Sequence, residues 1–173
     1  KGRIRAWDVV NEAITYTKPF QMRDSIWYET LGEGYIAMAF KTAHKADPDA
    51  ELFYNDIGIE RWGPKAEVVH SMLAKLLNQG VPIHGVGLQA HFFNGVPSYA
   101  ELEEVLSRFA SLGLKIHITE AGIGVEKPVT AERMEKQAEG YGRLMRACLA
   151  QRACEAFVVW GFSDKYRWIP TFH

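Results

Sequence analysis

Trp7-Asp8-Val9-Val10-Asn11-Glu12-Ala13 is an apolar, β-branched run that ends abruptly in an amide and a carboxylate. A buried parallel strand has this form when its last residues emerge at a working face. A second run, Lys115-Ile116-His117-Ile118-Thr119-Glu120, is built the same way. Working outward from these two, five strands are predicted, over 4–10, 51–54, 84–90, 114–119 and 156–160. Helical periodicity fills the gaps between them.

The first helix is predicted over 24–45, with Ile26, Trp27, Leu31, Tyr35, Ile36, Ala39, Phe40 and Ala43 on one stripe and Asp47-Pro48-Asp49 as its stop. Pro64 opens the next, which turns Val68, Val69, Met72, Leu73, Leu76 and Leu77 inward, and Gly80 stands where a left-handed cap belongs. Ser98 and Glu101 have capping-box spacing ahead of Leu102, Val105, Leu106 and Phe109, and Gly113 ends that helix. Thr130 caps a last helix predicted to bury Met134, Ala138, Tyr141, Leu144, Met145 and Leu149.

Strand and helix thus alternate for four units plus a strand, the pattern of a parallel sheet with right-handed crossovers. Polar residues gather at the end of every strand: Asn11, Glu12, Asn55, Asp56, Gln89, His91, Glu120 and Trp160. A doubly wound sheet concentrates its site at one switch point, whereas a (β/α)8 barrel draws on all its strands. The α/β barrel is therefore the expected fold. A full barrel takes eight strands and typically about 250 residues, and these 173 residues supply five strands in one domain spanning 1–173. The segment reads as an excerpt, expected to associate or to lack turnover if isolated, because its parallel edges would be open.

A formal net charge of −1 without a basic stripe gives no reason to expect nucleic acid or an anionic membrane as partner. No run is long enough to span a bilayer. No glycine-rich phosphate loop follows a strand, so no nucleotide is expected. Cys148 and Cys154 are compatible by spacing with two free thiols or with a bridge across a helix-to-strand turn. Two thiols without a nearby histidine do not complete a zinc site, and no metal is expected.

Glu12 and Glu120 suggest a pair of carboxylates across one cleft. Glycosidic cleavage with retention needs one carboxyl to protonate the leaving oxygen and another to attack the anomeric carbon, about 5–5.5 Å apart. The bland alternative is that both are surface residues at strand ends. Asn11 could hold a sugar hydroxyl, and Gln89 and His91 could reach Glu120 from the adjacent strand. Trp160 and Trp168 could face sugar rings or be ordinary core and surface aromatics. Asn55 and Asp56 could line the cleft or merely form a turn. His44, His70, His84, His117 and His173 are assigned no role.

The first stretch resembles the acid/base motif of glycoside hydrolase family 10, the endo-β-1,4-xylanases. Tyr54-Asn55-Asp56, Gly87-Leu88-Gln89-Ala90-His91, Ile118-Thr119-Glu120 and the run from Trp160 to Trp168 agree with it in order and spacing. The resemblance implies a retaining hydrolase of β-1,4-xylan, secreted and free of cofactors, with this chain covering about barrel strands 4 to 8. It implies Glu12 as acid/base, Glu120 as nucleophile, Asn11 on the 2-hydroxyl, Gln89 and His91 as positioners, Trp160 and Trp168 as glycone walls and Asn55 on the aglycone side. The cysteines fall where many members carry a disulfide, which implies Cys148–Cys154. It also implies three N-terminal barrel strands upstream, bearing much of the glycone groove. A related β-1,4-glucanase, or a carbohydrate-binding protein without turnover, are the competing readings. Two departures stand out: Thr119-Glu120-Ala121-Gly122 where the family commonly has Thr-Glu-Leu-Asp, and Ile57 where an aromatic is frequent.

Overall fold

The computed structural model describes residues 2–93 and 95–163. Six strands form one all-parallel sheet: β1 (Ala6–Asn11), β2 (Glu51–Asp56), β3 (Gly85–Leu88), β4 (His91–Phe92), β5 (Lys115–Ile123) and β6 (Cys154–Val159). β1, β2, β3 and β5 lie side by side in that order, and both β4 and β6 pair with β5. Helices fill the crossovers: α1 (Ile26–Leu31), α2 (Tyr35–Ala46), α3 (Pro64–Asn78), α4 (Tyr99–Ala110) and α5 (Ala131–Ala150). Among the described residues no helix is long and apolar enough to cross a membrane.

The core lies between sheet and helices, where Leu52, Tyr54, Val86, Leu88, Ile116 and Ile118 meet Phe40, Leu73, Leu102, Leu106, Phe109 and Leu144. Alternate positions on the strands face the other way. Gly85 and Gly87 are on that second face, and both are required to be small. A Cβ at 85 would lie 2.0 Å from the Phe53 ring, and one at 87 would lie 2.4 Å from Asn55 Oδ1 and 2.8 Å from Thr119 Cγ2. The flanking strands thus reach over β3: Phe53 stacks with His117 at 3.9 Å between ring centroids, and Asn55 meets Thr119.

Several helix signals hold. Pro64 is in the first turn of α3, Ser98 and Glu101 form the capping box of α4, and Thr130 caps α5. Gly80 and Gly113 both adopt positive φ just past their helices. The helix predicted over 24–45 is instead two, α1 and α2, separated by a 3-10 turn at Gly32–Gly34. Gly32 has φ of 64°, a conformation the helix cannot continue. The break takes Ile26, Trp27 and Leu31 off the buried stripe, where only Ile36 and Phe40 are fully enclosed.

The last helix is in place, but its inward face differs from the expected one. Gly140, Leu144, Ala147 and Cys148 are buried, while Met134, Ala138, Met145 and Leu149 are exposed. Gly140 sets that rotation: a Cβ there would lie 2.8 Å from Val96 Cγ2 and 3.0 Å from Ile123 Cδ1, so the helix packs on its smallest residue. Hydropathy favours the large side chains and overlooks such a contact. Cys148 and Cys154 are bridged, with 5.2 Å between Cα atoms, tying the end of α5 to the start of β6.

At the strand N-termini, Lys115 Nζ joins Glu51 (2.6 Å) to Glu155 (3.0 Å), and Arg5 reaches Glu155 at 3.1 Å. The Lys115 hydrogen bond draws the Glu51 carboxyl below its ordinary range. Glu51, His117 and Glu155 converge closely enough to share a cation, but Lys115 and Arg5 already balance their charge. This end is remote from the carboxylates considered next.

Candidate active site

All the strands run in one direction, so their C-terminal ends form one rim. Asn11 ends β1, Asn55 and Asp56 end β2, and Gln89 and His91 flank the gap between β3 and β4. Glu120 lies inside β5, three residues before its end, so that strand runs further than predicted. Trp160 follows β6 on the same rim and is half-exposed. Trp168 lies outside the described residues.

Glu12 and Glu120 belong to one hydrogen-bonded network that runs from the end of β1 across β2 and the β3–β4 pair to β5. Gln89 Nε2 donates to Glu12 Oε1 at 2.9 Å and to Asn11 Oδ1 at 3.1 Å. Asn55 Nδ2 donates to the same Asn11 oxygen at 3.0 Å and to Glu120 Oε1 at 2.8 Å. The Thr119 hydroxyl donates to Asn55 Oδ1 at 2.7 Å, which fixes the amide with its NH2 toward the carboxylate. His91 Nε2 lies 3.1 Å from Glu120 Oε2. Two amides therefore bridge the two carboxylates through the Asn11 oxygen. Gln89 and Asn55 are almost wholly buried, so their geometry is imposed from below the rim.

One expected placement changes. The Gln89 side chain serves Glu12 and Asn11, and of the two residues expected at Glu120 only His91 meets it, beside Asn55. The cause is a break in the strand predicted over 84–90. Leu88 pairs with Ile118 and His91 with Gly122, so three steps on one side face four on β5. Ala90 takes up the mismatch with φ of 61°, and Glu12 is the other non-glycine residue at positive φ among the described residues, 51°. Such conformations cost about 1–3 kcal/mol each and persist where the surroundings enforce them.

The surroundings here are buried side chains, of which Glu60 and Lys65 were not singled out from the sequence. Tyr54 Oη accepts from the Ala13 amide at 3.1 Å, next to Glu12, and itself donates to Asp56. Asp56 also accepts from Lys65 Nζ and from the Ile57 amide. Asp56, open between cleft lining and turn forming in the sequence, is half of a buried ion pair. Burial raises its carboxyl, while the Lys65 ammonium opposes that shift. Burial also holds the Tyr54 hydroxyl well above its ordinary range, keeping it a neutral donor. Glu60, also buried, accepts from the Ala90 amide at 2.7 Å. Arg23 Nη1 meets Glu12 Oε2 at 2.8 Å from the loop before α1, a pairing no periodicity would reveal.

The family model for glycosyl hydrolase family 10 matches residues 1–173. The chain belongs to that family. Among its relatives, endo-1,4-beta-xylanase B of Thermotoga neapolitana is 44% identical over 99% of this chain and 49% of its own length. An endo-1,4-beta-xylanase of Agaricus bisporus is 39% identical over 98% of this chain and 50% of its own. The crystal structure of xylanase 10B from Thermotoga petrophila RKU-1 in complex with xylobiose superposes with a TM-score of 0.93 at 41% identity. It is covered to 52%, against 99% of this chain. This family 10 chain therefore spans about half the length of the curated relatives it matches. Its fold is a partial (β/α)8 barrel, with the β3–β4 pair counting as one barrel strand. Gly122 stands opposite His91 in the ladder, so the family's usual aspartate would have stood beside that histidine.

Proposed function

We propose that the protein of which this chain is part hydrolyses internal β-1,4 linkages of xylan with retention, by double displacement. The observation that carries the reading is the network joining Glu12 to Glu120 through Gln89, Asn11 and Asn55. Glu120 is the nucleophile: Asn55 and His91 each hold one of its oxygens, so it meets the anomeric carbon in a fixed orientation. Glu12 gives a proton to the departing glycosidic oxygen, then takes one from the water that releases the sugar from Glu120. The Asn11 oxygen is engaged by two amides, which leaves its Nδ2 donors for the sugar's 2-hydroxyl. Trp160 supplies a flat apolar face on the glycone side.

The rest of the groove is supplied by barrel strands outside this chain. In support, β1 and β6 each pair on one side only among the described residues. An apolar hollow of about 630 Å3 also lies between β1 and the α1–α2 pair, bordered by Val9, Trp27, Leu31 and Met38. Secretion is part of the proposal, supported by the Cys148–Cys154 bridge, since such bridges persist in oxidising compartments.

The assignment is tested by comparing the complete protein on xylan and carboxymethylcellulose. Xylan is expected to be the faster substrate by at least about tenfold, and a preference for the cellulose derivative would reassign the specificity. Glu12→Ala should spare aryl glycosides with good leaving groups while losing about 10²–10⁴-fold on xylan. Equal loss on both would remove Glu12 from the acid/base role. Gly87→Ala should place a methyl group against Asn55 and Thr119 and displace the amide that holds Glu120. A loss of about tenfold or more in kcat is expected from a shift of this kind. Unchanged kcat would mean that Asn55 does not position the nucleophile.

A further inference from the structure

The two carboxylates are served by two residues of one broken strand. In an unbroken strand Gln89 and His91, two apart, would project side by side. Here one reaches across to Glu12 and Asn11, and the other meets Glu120. Ala90 creates that divergence by adopting φ of 61° between them. Its carbonyl remains in the ladder, accepting from Gly122 N at 3.0 Å, while its amide leaves the ladder and is taken by Glu60 Oε1 at 2.7 Å. Gln89 itself is bound on both sides, its amide donating to Asp56 O and its carbonyl accepting from Glu120 N. Glu60 is thus the one contact in this set that comes from outside the sheet, and it falls on the residue that breaks the strand.

We propose that Glu60 is a positioning residue: by accepting from the Ala90 amide it holds the left-handed break that aims Gln89 at Glu12 and His91 at Glu120. A glutamate buried to this degree costs solvation, and burial pushes its carboxyl upward, with Asp56 adding to the rise and His91 opposing it. A core position needing only volume would be filled better by an apolar side chain. An acceptor for an amide that the ladder cannot use justifies a carboxyl there.

The inference rests on the hydrolase reading, and its test separates the two. In the complete protein, Glu60→Met keeps volume and removes the acceptor, whereas Glu60→Gln keeps an acceptor oxygen. Active sites are counted by trapping with a 2-fluoro glycoside, so that kcat refers to competent molecules. Glu60→Met is expected to lower kcat about 10- to 100-fold with KM within about twofold. Glu60→Gln should return to within about threefold of the parent. A Met variant with parental kcat, or a Gln variant as slow as Met, overturns the proposal. Should Glu60→Met not fold, Ala90→Val opposes the same backbone conformation with Glu60 intact, and parental kcat there overturns it equally. If the parent protein hydrolyses no β-1,4-glycan, the functional reading fails on its own. A crystal structure of Glu60→Met then decides the positioning: Gln89 and His91 displaced from the two carboxylates supports it, and both contacts retained refutes it.

Discussion

Glu120→Ala in the complete protein should, on the proposed mechanism, lose hydrolysis of xylan by about 10⁴-fold or more, because the nucleophile that would carry the covalent intermediate is gone. The neighbours that hold its carboxylate come from other strands, Asn55 from β2 and His91 from β4. They stay in place when the side chain is removed. The space left beside the anomeric carbon can then admit azide. The small anion attacks from the Glu120 side, the glycosidic C–O bond breaks, a C–N bond forms, and Glu12 gives its proton to the leaving oxygen. With an activated aryl β-glycoside the product should be the α-glycosyl azide, inverted relative to the substrate, and proton NMR of the anomeric centre reads it directly. A β-azide would place the attacking group on the opposite face, and residual turnover above about a tenth of the parent would exclude Glu120 as nucleophile.

Much of this site was legible because its chemistry coincides with strand ends. Asn11, Asn55, Gln89, His91 and Glu120 fall at breaks in apolar periodicity, and a parallel sheet gathers such breaks on one rim whatever the details of packing. The same reasoning placed the helix caps, since Ser98, Thr130 and Gly80 act on their immediate neighbours. What escaped it depends on contacts between elements. Gly140 looks like a weak point in a helix until Val96 and Ile123 are seen against it. The mismatch between β3–β4 and β5 arises from the relative register of two strands, which neither strand's sequence contains. Glu60 and Lys65 stand where a polar surface is the natural reading, and only the packing of the β2–α3 connection and of α3 against the sheet shows that their partners are buried. Specificity for Gln89 over His91 at Glu12 follows from that register too, so the sequence alone directs both to Glu120.

Lys65→Met should be the most destabilising of the substitutions near the rim, at about 3–5 kcal/mol at neutral pH. The Lys65 ammonium and the Asp56 carboxylate are 2.7 Å apart, with side chains 5% and 0% exposed, so neither charge has water to fall back on. Methionine fills the volume and leaves Asp56 without its cation. The loss should depend on pH in a definite direction. Burial already lifts the Asp56 carboxyl above its ordinary value of 3.8, and Lys65 is the foremost group opposing that rise. Without Lys65 the carboxyl moves higher still, so the folded state binds the proton more tightly than the unfolded chain. Stability then falls as pH rises from the unfolded value through the folded one. Urea unfolding should accordingly find the variant closest to the parent near pH 4 and furthest from it near neutrality. Adding Asp56→Asn removes the stranded charge yet keeps an oxygen for the Tyr54 hydroxyl, which in turn holds the Ala13 amide beside Glu12. The double variant should therefore regain most of the stability at pH 7 and lose the pH dependence. A loss that is equal at both pH values, or a double variant as unstable as Lys65→Met alone, would mean that the pair's charges are not what the fold depends on at this position.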